Sequence, residues 1–167
     1  MTTHEATDAA YGRLIGSSAA MRNVYEAIEK AASLPLPVLI VGETGTGKEL
    51  VAREIHERSP RAEAIFLPVH TGTMNSELVA SELFGHLKGS FTGATQAKDG
   101  CFADARGGTL FLDEIATMDE AVQVALLRVL ESGKFRPLGG TREVETDVRI
   151  VAASCCDLSE AVAAGTF

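Results

Sequence analysis

Apolar residues follow two different spacings along this chain, and their succession predicts strands that alternate with helices. Near-continuous apolar runs, typical of buried strands, occur at residues 38–41, 64–69, 109–112 and 148–153. Apolar positions three or four residues apart predict helices within residues 21–32, 48–58, 77–84, 121–130 and 158–164. Strands that are apolar on both faces and alternate with helices are typical of a parallel sheet covered on both sides. The predicted fold class is therefore α/β.

Prolines, glycines and serines mark the ends of these elements. A serine at Ser17 or Ser18 is a suitable N-cap for the first helix, and Ser59-Pro60 stops the second. Residues 135–146, which contain Pro137 and a glycine pair, predict a hairpin or loop, and residues 102–105 form a short amphipathic stretch. Residues 1–12 are predicted to be a polar lead-in to a single domain over residues 13–167.

Composition narrows the class of protein. An apolar fraction of 46 % is typical of a globular domain, and 23 acidic against 15 basic residues give a formal charge of −8, which argues against direct DNA binding by this segment. The three cysteines, Cys101, Cys155 and Cys156, form no C-x-x-C pair and suit a reducing compartment. The N-terminus lacks the apolar core of a signal peptide, and no apolar run is long enough for a membrane span. We therefore expect a cytoplasmic protein without membrane contact.

The first candidate for chemistry is the segment PVLIVGETGTGKELVARE, residues 37–54. A strand, a glycine-rich turn, a lysine and a helix follow one another, which is the context of a phosphate-binding loop, G-x-x-x-x-G-K. The alternative is a glycine-rich turn with a surface lysine. We predict that a nucleoside triphosphate, ATP first, binds to the loop residues Gly42, Glu43, Thr44, Gly45, Thr46, Gly47, Lys48 and Glu49.

A pair of carboxylates at the end of the 109–112 strand supplies the second candidate. The residue after the loop lysine usually contacts Mg²⁺ through a hydroxyl, but here it is Glu49, so the metal has to be held elsewhere. Asp113 is predicted to hold Mg²⁺ through water, and Glu114 to polarise a water molecule for attack on the terminal phosphate. The alternative for this pair is an acidic turn after a strand.

The third candidate is the glycine-flanked sequence GSFTGA: Gly89, Ser90, Phe91, Thr92, Gly93 and Ala94. By itself it favours a hairpin whose Phe91 turns into the core. Together with GETGTGKELVAREIH, SELFGH, GGTLFLDEI, LLRVL and DVRIVAAS in the same order, however, it resembles the central AAA+ domain of bacterial sigma-54-dependent transcription activators. The resemblance covers residues 14–167, and Glu49 fits this branch of the P-loop proteins.

The resemblance implies a three-layer α/β/α fold, ring oligomers, usually hexamers, and ATP bound between subunits. Lys48 would bind phosphate, Asp113 would serve Mg²⁺ and Glu114 would be the catalytic base. The adenine would lie near Leu14, Ile15 and Gly16. Hydrolysis would move the GSFTGA loop, whose residues contact sigma-54, and so remodel sigma-54 RNA polymerase.

Four positions depart from the family pattern. His70 and Thr71 replace an Asn-Cys pair whose Asn restrains the catalytic glutamate, and His70 can still hydrogen-bond Glu114 with a different reach. Cys155 replaces a polar sensor residue expected near the terminal phosphate and is a poor hydrogen-bonding partner. Ser90 stands where the family usually has Ala, which is a mild change.

The family's arginine fingers, helical lid and DNA-binding helix-turn-helix would lie beyond Phe167. An arginine finger contributes about three to five orders of magnitude in rate, so this chain alone is expected to hydrolyse ATP poorly. Two functions therefore stay open: an ATPase module that couples hydrolysis to sigma-54 remodelling, and a catalytically degenerate module that binds nucleotide and sigma-54. A P-loop kinase or transporter ATPase would leave GSFTGA unexplained.

Overall fold

The computed structural model describes residues 10–167, and they form eight strands and six α-helices. The strands are β1 (Ala10–Tyr11), β2 (Leu14–Ile15), β3 (Val38–Val41), β4 (Phe66–His70), β5 (Thr109–Asp113), β6 (Lys134–Phe135), β7 (Val144–Glu145) and β8 (Arg149–Ser154). The helices are α1 (Ala19–Ala32), α2 (Lys48–Glu57), α3 (Ser76–Phe84), α4 (Cys101–Asp104), α5 (Glu120–Ser132) and α6 (Leu158–Ala164). A short 3₁₀ turn, Ile115–Thr117, follows β5. The predicted alternation of strands and helices is confirmed.

The central sheet has four strands in the order β3-β8-β5-β4, and every pairing is parallel. The two inner strands, β8 and β5, are mostly apolar and are buried along nearly their whole length. The two outer strands are less buried, and Leu39 and Val41 of β3 remain exposed. This arrangement places the carboxyl ends of all four strands on one edge of the sheet.

Alternate side chains of the inner strands serve two separate cores, which gives the predicted three-layer α/β/α arrangement. Leu110, Leu112 and Ile150 face a core that includes residues of α3, α4 and α5. Phe111 and Val151 face the opposite core, which includes residues of α1 and α2. The period-two alternation of a strand produces both cores from the same run of apolar residues.

Polar side chains begin most of the helices, but α2 begins differently. Ser18 accepts a hydrogen bond from the Met21 amide at 3.2 Å, which confirms the expected serine cap of α1. Asn75 and Asp119 cap α3 and α5 in the same way. Helix α2 starts at Gly47, in the left-handed region, and no side chain caps it. Its first amide groups are therefore left to a ligand or to water.

A small antiparallel hairpin of β1 and β2 precedes the domain core. Of the predicted polar lead-in, residues 1–12, Ala10 and Tyr11 form β1 and Gly12 turns the chain with φ +59°. Residues 1–9 lie outside the described residues. Leu14 on β2 is buried and joins the core below α1 and α2.

Two insertions pack against each other at another part of the surface: the segment that contains the β6–β7 hairpin, and the connection between α3 and α4. The predicted hairpin is present as the β6–β7 pair. The connection between α3 and α4 contains a bridge from His86 to Lys98, and the amide of Leu87 donates to the carbonyl of Leu138 at 3.0 Å. Among residues 10–167, no helix combines the length and apolar character that a membrane crossing requires.

Candidate functional site

The predicted catalytic and binding residues lie at the carboxyl edge of the sheet. The glycine-rich loop follows β3, Asp113 ends β5, and Cys155 follows β8. Strand β8 lies between β3 and β5, so Asp113 is two strand spacings, about 10 Å, from the strand that feeds the loop. That separation leaves room at the edge for a group that contacts both.

Lys48 is the first residue of α2, and its side chain folds back over the glycine-rich loop. Its Nζ donates to the carbonyl oxygens of Gly42 and Glu43, each at 2.9 Å. Gly45 and Gly47 adopt φ values of +82° and +85°, which a side chain would disfavour. The loop therefore has a backbone path that needs glycine and a cation held at its centre.

The remaining loop residues are accessible. Glu43, Thr44 and Thr46 are exposed, and the Thr46 hydroxyl donates to the Glu43 carbonyl at 2.8 Å. Glu49 points along the helix and pairs with Arg53 at 3.2 Å, one turn further on. In this arrangement Glu49 serves the helix surface.

An apolar cleft of about 410 Å³ opens directly beside the loop. Gly42, Thr46 and Lys48 form its loop side, and Leu14 contributes from the β1–β2 hairpin. Its remaining walls come from α1, β3 and α2. Of the three residues predicted to lie near a base, Leu14 lines the cleft, whereas Ile15 is exposed to solvent and Gly16 binds Tyr25 through its carbonyl. The cleft has the apolar character and size that suit a planar base.

Asp113 and Glu114 have different surroundings although they are adjacent. One oxygen of Asp113, Oδ1, accepts the Glu114 amide at 3.0 Å. Glu114 has a left-handed backbone, with φ +60° and ψ +42°. This turn directs the Glu114 carboxylate against Gly72. A Cβ added to Gly72 would lie only 1.7 Å from Oε2 of Glu114. The two carboxylates therefore point to different places.

The structure corrects the expected partner of His70. Its Nδ1 lies 3.3 Å from Oδ2 of Asp113, not beside Glu114. The cause is the strand register, because His70 and Asp113 are paired across β4 and β5 while Glu114 has already left the strand. The side chain of His70 is 59 % exposed.

Two residues of the site escaped the sequence analysis as contributors. Thr71 is buried, and its hydroxyl donates to the Asp113 carbonyl at 2.7 Å, which ties the ends of β4 and β5 together. Gly72 provides the space that the Glu114 carboxylate occupies. The sequence marks Thr71 only as a departure from the family pattern, and Gly72 is indicated only by its position shortly after an apolar strand.

At the end of β8, Ser154 is fully buried, and its carbonyl accepts the amide of Gly42 at 3.1 Å. The end of β8 is thereby fixed to the start of the glycine-rich loop. Cys155, the predicted sensor position, follows directly and is exposed. The Ser154 hydroxyl donates to the Cys156 carbonyl at 2.7 Å, so the turn after β8 is closed by its own residues.

The GSFTGA segment is a closed turn. The Gly89 amide donates to the Ala94 carbonyl at 2.8 Å, and Thr92 and Gly93 at its tip are exposed. Phe91 is half-buried and meets the ring of His86 edge-on at 5.0 Å. It belongs to neither core cluster, so the expectation of a core phenylalanine does not describe it.

The parallel sheet, the glycine-rich loop between β3 and α2, and the centred lysine define a P-loop α/β domain. Comparison of the sequence with protein families gives the narrower assignment. The Sigma-54 interaction domain family matches residues 14–167, and the chain belongs to that family.

Individual relatives agree with this assignment. The chain is 53 % identical to the response regulator protein PilR of Pseudomonas aeruginosa over 93 % of its own length and 35 % of that protein. It is 51 % identical to a Nif-specific regulatory protein of Rhodobacter capsulatus over 92 % of its length and 27 % of that protein. The chain thus spans between about a quarter and about a third of the length of these curated relatives.

A solved structure matches the fold closely. NtrX from Brucella abortus, in its complex with ADP, superposes with a TM-score of 0.84 at 40 % identity. The match covers 93 % of this chain and 33 % of that one. The same NtrX has also been solved in complex with ATP.

Proposed function

We propose that this chain is the nucleotide-binding module of a sigma-54-dependent transcription activator, which couples ATP binding and hydrolysis to the remodelling of sigma-54 RNA polymerase. The observation behind this proposal is the position of Lys48, whose ammonium group is held inside a glycine-rich loop at the carboxyl edge of a parallel sheet. Membership of the family supports the sigma-54 part of the proposal.

The loop fits a polyphosphate. The two carbonyl bonds of the Lys48 ammonium are replaceable by phosphate oxygens, and the uncapped start of α2 offers amide donors and a positive helix end. The adjacent apolar cleft fits a base. The ADP and ATP complexes of the related NtrX support the choice of an adenine nucleotide for this site.

The donor set also fits Mg²⁺. Asp113 is partly exposed at the sheet edge, and its carboxylate presents oxygen, which Mg²⁺ prefers, in a place where water molecules can complete the shell. Bound there, the ion would neutralise charge on the outer phosphates. Asp113 is then the residue that holds the ion, and Thr71 fixes the backbone from which it projects.

Glu114 is the proposed general base. Its carboxylate carries no ion pair among the described residues, and the missing side chain of Gly72 leaves the space that it occupies. In this role it would take a proton from a water molecule as that water attacks the terminal phosphate. Cys155 would lie beside the loop as a sensor position without a strong hydrogen bond.

The GSFTGA turn is the proposed contact with sigma-54, in an activator that assembles as a ring, usually a hexamer. Its tip is exposed, and Phe91 is only half-buried. We predict that Phe91→Ala weakens binding of purified sigma-54 to the ATP-bound activator and prevents promoter opening. Leu87→Ala, which removes a more exposed apolar side chain just outside the turn, is the control. Unchanged binding and promoter opening in Phe91→Ala would show that the turn is not the contact.

A second candidate, a module that binds nucleotide and sigma-54 but does not hydrolyse ATP, is favoured by the His70–Asp113 pair. His70 lies against Oδ2 of Asp113, one oxygen of the carboxylate that is proposed to hold the metal. An ATPase assay of the chain alone, and of the chain mixed with an intact homologue, separates the two candidates. Turnover by the chain alone that Glu114→Ala abolishes would exclude the non-hydrolysing module.

A further inference from the structure

The β1–β2 hairpin is fastened to α1 and α2 by a polar and aromatic network that the proposed function does not use. We call this network the hairpin latch and define it as Tyr11, Tyr25, Glu29, Glu54 and Arg58. Its members come from β1, α1, α2 and the residue after α2, so it joins three elements that are far apart along the chain.

Glu54 is the buried end of the latch. It is 2 % exposed, and its two oxygens have separate partners: Oε1 accepts the backbone amide of Arg13 at 2.6 Å, and Oε2 pairs with Nε of Arg58 at 3.2 Å. Gly12 turns the hairpin directly over this carboxylate, where an added Cβ would lie 2.0 Å from Oε1. A buried carboxylate is costly unless it is paired, so this one has a defined task in holding the hairpin turn.

Arg58 and Tyr11 form the middle of the latch. The guanidinium group lies 3.7 Å above the centre of the Tyr11 ring and also pairs with Glu29 at 3.1 Å. The Tyr11 hydroxyl donates to the same Glu29 carboxylate. Burial, together with this hydrogen bond, raises the pKa of Tyr11 to about 12, so the hydroxyl remains a donor at physiological pH.

Tyr25 connects the latch to the cleft. Its ring stacks on Tyr11 with centroids 4.3 Å apart, and its hydroxyl donates to the Gly16 carbonyl at 2.9 Å. The chain between these two attachments includes Leu14, which lines the cleft beside the glycine-rich loop. Helix α2 therefore holds the loop at its first residue and the hairpin near its last turn.

We infer that Tyr25 and Glu54 are positioning residues for the base of the nucleotide: through the hairpin they hold Leu14 at a fixed distance from the glycine-rich loop. This inference rests on the proposed nucleotide binding. It separates the site into two parts, because the phosphate contacts come from the loop and α2, whereas the hairpin contributes Leu14 to the wall for the base and the latch adds polar contacts that hold this hairpin. The latch is then expected to affect the affinity for a ligand that contains a base, and to leave unchanged the affinity for a polyphosphate without one.

The test compares two ligands, ATP and inorganic tripolyphosphate, by calorimetric titration of the chain. Tyr25→Phe removes only the hydroxyl bond to Gly16, and Glu54→Gln weakens the buried pair. In each variant we expect ATP affinity to fall about threefold to tenfold, the effect of one hydrogen bond, while tripolyphosphate affinity stays at the wild-type value. Glu26→Gln is the matched control, since Glu26 is an exposed residue of α1 that takes no part in the latch.

The outcomes are distinguishable. An equal loss for both ligands would mean that the variants disturb the whole site, and unchanged ATP affinity in Tyr25→Phe would mean that the hairpin does not contact the base; each overturns the inference. Thermal unfolding of both variants identifies any loss of fold, and Tyr25→Phe keeps the test valid if Glu54→Gln fails to fold. Wild-type chain that binds neither ligand would instead refute the proposed function itself.

Discussion

Glu114 is the only non-glycine residue within residues 10–167 that has a positive φ. A side chain in this left-handed conformation costs about 1–2 kcal/mol, because Cβ comes too close to the following carbonyl oxygen. The hydrogen bonds of Thr117, whose amide and hydroxyl both donate to the Glu114 carbonyl, hold the conformation in place. Strain of this kind is found preferentially at functional sites, which agrees with the proposed role of Glu114 as a base.

The strain predicts the effect of glycine at this position. We expect the free energy of unfolding to be about 1 kcal/mol higher for Glu114→Gly than for Glu63→Gly, because glycine has no Cβ and adopts the left-handed conformation without strain. Glu63 is an exposed turn residue with an ordinary backbone and serves as the reference. Urea denaturation of both variants measures the difference. Equal stabilities would show that the conformation at Glu114 stores no strain.

The residues of the site differ in how far the sequence predicts them. The glycine-rich loop and the Asp113-Glu114 pair follow from spacing, because their chemistry needs fixed residue types at the end of a strand. The partner of His70 does not follow, since it depends on strand register and on the turn of one backbone at Glu114. Gly72 likewise acquires its importance only through a contact in space.

At the scale of elements, one histidine links α2 to the sheet. His56 is 3 % exposed; its Nε2 donates to the Ala64 carbonyl at 3.2 Å, and its Nδ1 accepts the Thr109 hydroxyl at 2.9 Å. Burial lowers the pKa of His56 below its usual value. The neutral ring has both of its nitrogens satisfied, so protonation brings a buried charge without a new partner.

This shift predicts a pH dependence of stability. Because the folded-state pKa is below the unfolded value of about 6.5, the unfolded chain binds more protons as the pH falls. The contribution of His56 is therefore complete above pH 6.5 and is lost as the pH falls through the folded-state pKa. We expect His56→Gln to reduce the slope of unfolding free energy against pH in this range. Identical slopes for variant and wild type, measured by urea denaturation, would contradict the assignment.

The contact between the two insertions gives a second prediction for the elements. Gly139 and Gly107 both have positive φ, +72° and +76°, so Ala at either position meets similar backbone strain. An added Cβ at Gly139 would also lie 2.7 Å from Cβ of Ser90, whereas Gly107 has open space. We expect Gly139→Ala to cost about 1–3 kcal/mol more in unfolding free energy than Gly107→Ala. Limited proteolysis should then cleave residues 85–100 faster in Gly139→Ala; equal rates would contradict the contact.

For the whole molecule, the sequence predicts the fold class and the four central strands to within two residues, because an apolar run records burial directly. It does not predict the order β3-β8-β5-β4 by pattern alone, since strand pairing leaves no local trace. The sequence pattern assigns Ala10 and Tyr11 to the polar lead-in, whereas they form strand β1. Two residues are too few for a period, and the contacts of Tyr11 with Arg58 and Tyr25 are visible only in three dimensions.

For the whole molecule, we propose that ATP binds through Lys48 at the carboxyl edge of the sheet. Titration of the chain with ATP in the presence of Mg²⁺ tests this most directly, with Lys48→Ala against Lys30→Ala, an exposed lysine in the last turn of α1. We expect wild-type affinity for Lys30→Ala. We expect affinity roughly tenfold to a hundredfold weaker for Lys48→Ala, since charge-assisted hydrogen bonds to phosphate are lost. Equal ATP affinity in the two variants would show that Lys48 does not bind the nucleotide.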